Sequence, residues 1–227
     1  MSPIDDAGTL PERLARRHAP SLLVERLALE KGSPLEDLIT RETSPKTTIT
    51  EQSMIEMIGN SLSDGLLYEI SGNENLSYAQ KEDLMFCLLS NYWEAVKETF
   101  PDAWGLHPKD SRLMHGAGIV SMGFLMEDIA NRELGQLQRS LFVDHSDSEQ
   151  NSFYRIGLFS RNLVLIEPFC HWTSGTWDFG ETNGGLILWN QIKNTPTWKK
   201  RLTKHLKRLF KKARSRNEFS HPPLFGG

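Results

Sequence analysis

The side chains of this 227-residue chain that could carry chemistry are seven histidines, two cysteines and one long run of cations. The histidines are His18, His107, His115, His145, His171, His205 and His221. None forms H-x-x-x-H or H-E-x-x-H, the spacings that put two imidazoles on one helical face for a metal, and no cysteine cluster joins them. Asp144, His145 and Asp147 lie together in the polar stretch VDHSDSEQ, but without further ligands at metal-site spacing they read as solvated loop residues. Cys170 and His171 are neighbours, which does not set a thiol against an imidazole base; that geometry usually comes from separate elements. There is no G-x-S-x-G elbow and no phosphate-binding glycine loop. We therefore expect no catalytic residues, no metal and no cofactor. Cys87 and Cys170, too few for a disulfide framework, read as reduced thiols packed as small hydrophobes.

The cations are more informative. The formal net charge is −3, yet residues 199–216, KKRLTKHLKRLFKKARSR, hold ten Lys or Arg and no acid. Taking those ten from 26 leaves sixteen cations against 29 acidic residues elsewhere, a net −13. An acidic body with a strongly basic segment implies a polyanionic partner, an anionic surface, or the body itself as partner. Trp198, Leu202, His205, Leu206, Leu209 and Ala213 fall on one helical face, so the segment reads as an amphipathic helix that docks by one side. Its candidate nucleic-acid-binding residues are Lys199, Lys200, Arg201, Lys204, Lys207, Arg208, Lys211 and Lys212. Nucleic acid is the leading partner; an acidic protein surface and an anionic membrane surface stay open.

The elements that must position these groups read mostly as helices. Residues 1–20 form a loose leader. Leu22, Leu23, Leu27 and Leu29 give a short helical stripe ending near Gly32, and residues 41–50 are a polar connector. Thr50 is placed to cap a helix, with Ile49 and Met54 as its hydrophobic staple. Residues 65–70 have the look of a short strand. Ser77 and Gln80 make a capping box for a helix over 78–99, stopped by Phe100 and Pro101. Residues 109–131 read as a helix in which Gly116, Gly118 and Gly123 cost stability unless they permit close packing. Residues 153–169 read as a buried helix. HWTSGTWDFGETNGG is an ordered loop whose Trp172, Trp177 and Phe179, with Trp189 beyond it, either pack inward or stack on unpaired bases; packing is favoured. Residues 186–192 are a short helix or strand, and the basic helix runs over 198–214.

Five segments carry a family resemblance: VERLALEKGSPLEDLI, SPKTTITEQSMIEMI, FCLLSNYWEAVKETFPDAW, RLMHGAGIVSMGFLMEDI and WTSGTWDFGETNGGLILWNQI. In that order, over about residues 20–195, the chain resembles the C-terminal helical part of the DGQHR-domain family, which includes DndB-like proteins of bacterial DNA phosphorothioation systems. The Asp-Gly-Gln-His-Arg signature itself does not occur in the sequence. The resemblance implies a DNA-linked role such as transcriptional repression, and a possible protein partner carrying the signature module. It carries over no site residue.

The expected protein is mainly α: an irregular multi-helix domain with a glycine/aromatic loop and a basic C-terminal helix. Its divisions are 1–20 leader, 21–195 helical region, 196–216 basic helix and 217–227 tail. No apolar run approaches the ~20 residues needed to span a bilayer, and MSPIDDAGTL is not a basic-then-apolar leader, so a cytoplasmic location is expected. The expected function is non-catalytic association with DNA or a DNA-modification complex. The alternatives are a protein–protein adaptor and the helical subunit of a split enzyme.

Overall fold

A computed structural model describes residues 10–40, 48–133, 157–181 and 184–220. The cluster Asp144, His145 and Asp147 and the tail beyond residue 220 lie outside these.

The structure is mainly helical, with seven helices and two small strand pairs among the described residues. The best-determined start is that of α4 (Tyr78–Thr99). Gln80 N–H donates to Ser77 Oγ at 3.3 Å while Ser77 N–H donates to Gln80 Oε1 at 2.9 Å, so both halves of the capping box form. Its inward face carries Leu88, Leu89, Tyr92, Trp93 and Val96, all buried.

Before it come α1 (Leu10–Leu29), which begins ten residues inside the expected leader, and a two-residue parallel pair of β1 (Ile39–Thr40) with β2 (Ile49–Thr50). The inward residues of α1 are Leu23, Val24, Leu27 and Ala28, whereas Leu22 and Leu29 face solvent. That corrects the expected stripe by one position, as a drift of one residue rotates a helical face by about a quarter turn.

Helix α2 (Glu51–Asp64) starts at Thr50, though the Thr50 side chain bonds Ser53 Oγ at 2.6 Å rather than a backbone N–H. Ile49 and Met54 are both fully buried, as a staple requires.

The expected strand at 65–70 is instead α3 (Leu66–Ser71). Its start is held from another element: Glu127 accepts from Leu66 N–H at 2.9 Å and from Ser61 Oγ at 2.5 Å. Burial pushes the Glu127 carboxyl up, and those two hydrogen bonds oppose the shift. A cap supplied by a residue 61 positions away leaves no local signal, which is why the short apolar run read as extended.

Residues 109–115 are turns rather than helix, and α5 spans Gly116–Glu133. It lies between α2 and the C-terminal helix. Tyr92 O–H donates to the Met122 carbonyl at 2.6 Å, tying α4 to α5.

After α6 (157–163) the chain turns through a 3-10 segment, Glu167–Phe169, so the expected helix over 153–169, whose residues 153–156 lie outside the described ones, ends at 163. The glycine/aromatic stretch then forms an antiparallel pair of β3 (Thr176–Asp178) with β4 (Leu186–Leu188), Trp177 opposite Ile187. A 3-10 turn, Trp189–Gln191, leads to α7 (Pro196–Ser220), which starts where the expected 196–216 division does and runs further at its C-terminal end. Among the described residues no helix is long and apolar enough to cross a membrane.

The α5 glycines are packing residues. A Cβ on Gly123 would lie 2.2 Å from Met57 Cγ of α2, and one on Gly118 would lie 2.1 Å from the Arg112 carbonyl oxygen. Gly59, within α2, has nothing within 4 Å of its Cβ position. Helix propensity alone favours alanine at all three by up to ~1 kcal/mol. Gly59→Ala is therefore expected to stabilise by about 0.5–1 kcal/mol. Gly118→Ala meets backbone that cannot step aside and is expected to destabilise by about 1–3 kcal/mol. Urea midpoints of the two variants check the opposite signs.

Candidate nucleic-acid interface

Helix α7 divides its own side chains. Leu202, Leu206 and Phe210 are fully buried, His205 is buried, and Trp198, Leu209 and Ala213 are partly buried against the core. This is the expected apolar face with Phe210 added. Ser121 Oγ of α5 donates to the Lys199 carbonyl at 3.2 Å, fixing the start of the helix.

The aromatic residues of the preceding segment pack inward. Trp172, Trp177 and Phe179 are at most 3% exposed. Trp177 meets Trp172 edge to face at 5.0 Å and His205 at 5.7 Å, and Phe179 lies 4.7 Å from His205. Trp189 is partly buried beneath the Arg112 guanidinium, 5.6 Å from its ring. Arg112 also donates to the Asn190 carbonyl at 2.7 Å, and its own N–H donates to the Trp172 carbonyl at 2.8 Å, so this one residue ties the 107–115 turns to the hairpin.

The eight candidate cations fall into two sets. Four are engaged with the body. Lys199 pairs with Glu56 at 2.5 Å and Lys207 with Asp128 at 2.7 Å. Arg201 lies over Phe179 at 4.4 Å and Trp198 at 4.7 Å, and its buried Nε and Nη2 have no hydrogen-bond acceptor among the described residues. Arg208 donates to the Asp178 carbonyl at 3.1 Å. Lys207 also reaches back to α5, 5.7 Å over the Phe124 ring.

Lys200, Lys204, Lys211 and Lys212 form the second set. All four are exposed, and no ion pair to them is found among the described residues. Positions 200, 204 and 211 recur at helical period on one stripe, with 212 one step round.

Two glycines let the hairpin approach this helix. Gly184, at φ +100°, would place a Cβ 2.1 Å from Arg201 Nη2; Gly180, at φ +81°, would place one 3.3 Å from Arg208 Nη1. Both conformations favour glycine in their own right.

Two hollows flank the helix. One, about 320 Å³, is bounded by Phe179, Arg201, Lys204, His205, Arg208 and Lys211 among others. The other, about 590 Å³, lies between α7 and the hairpin, with Phe169, His171, Asp178, Arg208, Leu209 and Lys212 on its walls. The sequence reading missed Phe169: Pro168 signals a stop, but a three-residue 3-10 turn has no periodicity from which an outward face can be read.

No group of three or more His, Cys, Asp or Glu able to hold a metal occurs among the described residues. Burial pushes the Cys170 thiol far above its usual range, which removes its nucleophilic form near neutral pH. Cys87 lies exposed on α4 instead of packing inward as expected. The chain matches no protein-family model, no curated protein and no solved structure at a significant level.

His205 is the one titratable ring inside the helix seam. Its Nδ1 lies 3.1 Å from Arg208 Nη2, and since a guanidinium can only donate, Nδ1 accepts. Burial, then the Arg208 charge, push its pKa down to about 4, with Asp178 opposing. The unfolded ring takes a proton near pH 6.5. Its contribution is therefore complete above about pH 6.5 and is lost as pH falls toward 4. Denaturation at pH 7 and at pH 4.5 is expected to show a larger loss for wild type than for His205→Gln, which has no such proton to take up. Equal losses would remove His205 from the acid sensitivity.

Proposed function

We propose that the protein binds DNA through the solvent face of α7 and acts by binding, without catalysing a reaction itself. The observation that carries this reading is the exposed set Lys200, Lys204, Lys211 and Lys212, without ion pairs among the described residues, on a helix whose opposite face is locked into the core. A solvated basic face that merely balanced an acidic body would direct its lysines at that body, as Lys199 and Lys207 do. These four do not, and holding like charges side by side on a helix costs stability. The resemblance in segment order to DGQHR-domain proteins supports a DNA-linked role, and a link to bacterial DNA modification belongs to the same proposal.

Each phosphate neutralised by a lysine releases condensed counterions, so the salt dependence of binding counts the contacts. Four contacts give a log–log slope of roughly −3.6 on duplex and −2.8 on a single strand. Contacts of this kind position the protein and carry little sequence information, so sequence preference from α7 is weak.

Replacing Lys200, Lys204, Lys211 and Lys212 together by Gln is expected to leave the circular dichroism spectrum unchanged. At about 50 mM salt, affinity should drop by roughly 100-fold or more and the slope should flatten. Lys199→Gln, whose lysine already has a carboxylate, should change the slope little. Wild-type behaviour in the fourfold variant, or no DNA binding by wild type at low salt, would overturn the reading. If the fourfold variant lost a protein partner instead, α7 would be an adaptor surface.

A further inference from the structure

The larger hollow beside α7 differs in chemistry from the lysine stripe. Its volume, about 590 Å³, falls in the range of sites that enclose small organic groups. Pro168 and Phe169 of the 3-10 turn line one side; α7 contributes Arg208, Leu209, Lys212 and Arg216 to the other, and Asp178 is the one carboxylate among the described lining residues. That carboxylate is turned to its own loop, where Oδ1 accepts from Gly180 N–H at 2.9 Å. His205 adds a neutral ring at the base near pH 7.

Phe169 is the feature that the fold does not explain. It is 43% exposed, while Trp172, Trp177 and Phe179 in the same stretch are at most 3% exposed. An exposed phenyl ring by itself is ordinary. An exposed ring on the wall of a cleft whose opposite wall is cationic is the arrangement that takes a flat aromatic group attached to an anion.

We infer that the bound nucleic acid is single-stranded, with one nucleobase entering this cleft against Phe169 while Arg208 and Lys212 hold the adjoining phosphates. The inference rests on the DNA-binding reading above and narrows it. A duplex keeps both faces of each base stacked and cannot offer one to Phe169 without unpairing it, whereas a single strand offers its bases directly. The path is continuous: Arg208 lies one helical turn, about 6 Å, from both Lys204 and Lys212, so a backbone following the lysine stripe reaches the cleft.

The test uses the full chain with a short labelled oligonucleotide, single-stranded or annealed, and a single strand carrying 2-aminopurine, whose fluorescence is quenched by stacking. Wild type should bind the single strand more tightly than the duplex and quench the 2-aminopurine. Phe169→Ala should weaken single-strand binding about 5- to 150-fold, the range of one base–aromatic stack, and leave duplex binding unchanged. Phe169→Trp should restore both affinity and quenching. If Phe169→Ala does not fold, the wild-type quench and the Phe169→Trp variant still decide. Equal affinity for the two forms, no quench, or a folded Phe169→Ala that binds like wild type would each overturn the inference. So would a free mononucleotide that binds as tightly as the strand, since the cleft would then be a small-molecule site. If wild type binds no nucleic acid at low salt, the DNA-binding reading fails as well. If it binds with a steep salt slope but Phe169 has no effect, the single-strand inference alone fails.

Discussion

A helix with ten cations and no acid over residues 199–216 has to be held against a protein while its own charges repel. Everything around α7 follows from that requirement. Like-charge neighbours three and four positions apart cost about 0.2–0.5 kcal/mol each. Leu202, Leu206 and Phe210 are fully buried, and each contributes about 1.5–3 kcal/mol by leaving water. Burial of the apolar face therefore outweighs the repulsion, and the helix stays docked. The contacting helix, α5, meets it with Arg132, whose guanidinium lies 6.0 Å over the Phe210 ring, while Ser121 fixes the register at the helix start.

The same requirement sorts the cations. Those that turn toward the body find something to answer them: a carboxylate for Lys199 and Lys207, ring faces for Arg201, a backbone carbonyl for Arg208. The use of arginine at the two aromatic and carbonyl positions is consistent with its weaker hydration and planar fork, which suit it to partly buried places better than lysine. His205 takes the seam position where a charge could not be tolerated, and gives its lone pair to Arg208. Glycines at 180 and 184 then allow the hairpin backbone to close over the two guanidinium groups. The remaining lysines, Lys200, Lys204, Lys211 and Lys212, are exposed and have no ion pair among the described residues.

How much of this could be read in the sequence depends on the range of the interactions. Helix α4 was fully legible because its start is a local capping box and its stop is Pro101. The apolar face of α7 was legible from its period, except for Phe210, which lies at the margin of the face. The inward packing of Trp172, Trp177 and Phe179 was legible as the favoured alternative, although the hairpin that holds them was read as a loop. What failed depended on distant partners. The α3 helix was read as a strand because Glu127 caps it from across the fold. Cys87 was read as buried because burial is the rule for its type, yet α4 turns that position outward. For the site, composition gave the basic helix but could not divide its cations, since Glu56 and Asp128 lie far away in sequence and meet α7 only after α2 and α5 have packed.

The division also governs how the acidic remainder acts. A net −13 outside residues 199–216 would repel a polyanion if it acted as a distant field, but at physiological salt charges are screened beyond about 8 Å. What a phosphate near α7 senses is the local set: exposed Lys200, Lys204, Lys211 and Lys212, with Glu56 and Asp128 already neutralised by Lys199 and Lys207. The two ion pairs thus do more for the character of this face than for stability, where such partly exposed bridges contribute about 0–1 kcal/mol. They neutralise carboxylates that would otherwise repel a nearby anion, and they turn Lys199 and Lys207 toward the body, whereas Lys200, Lys204, Lys211 and Lys212 have no ion pair among the described residues.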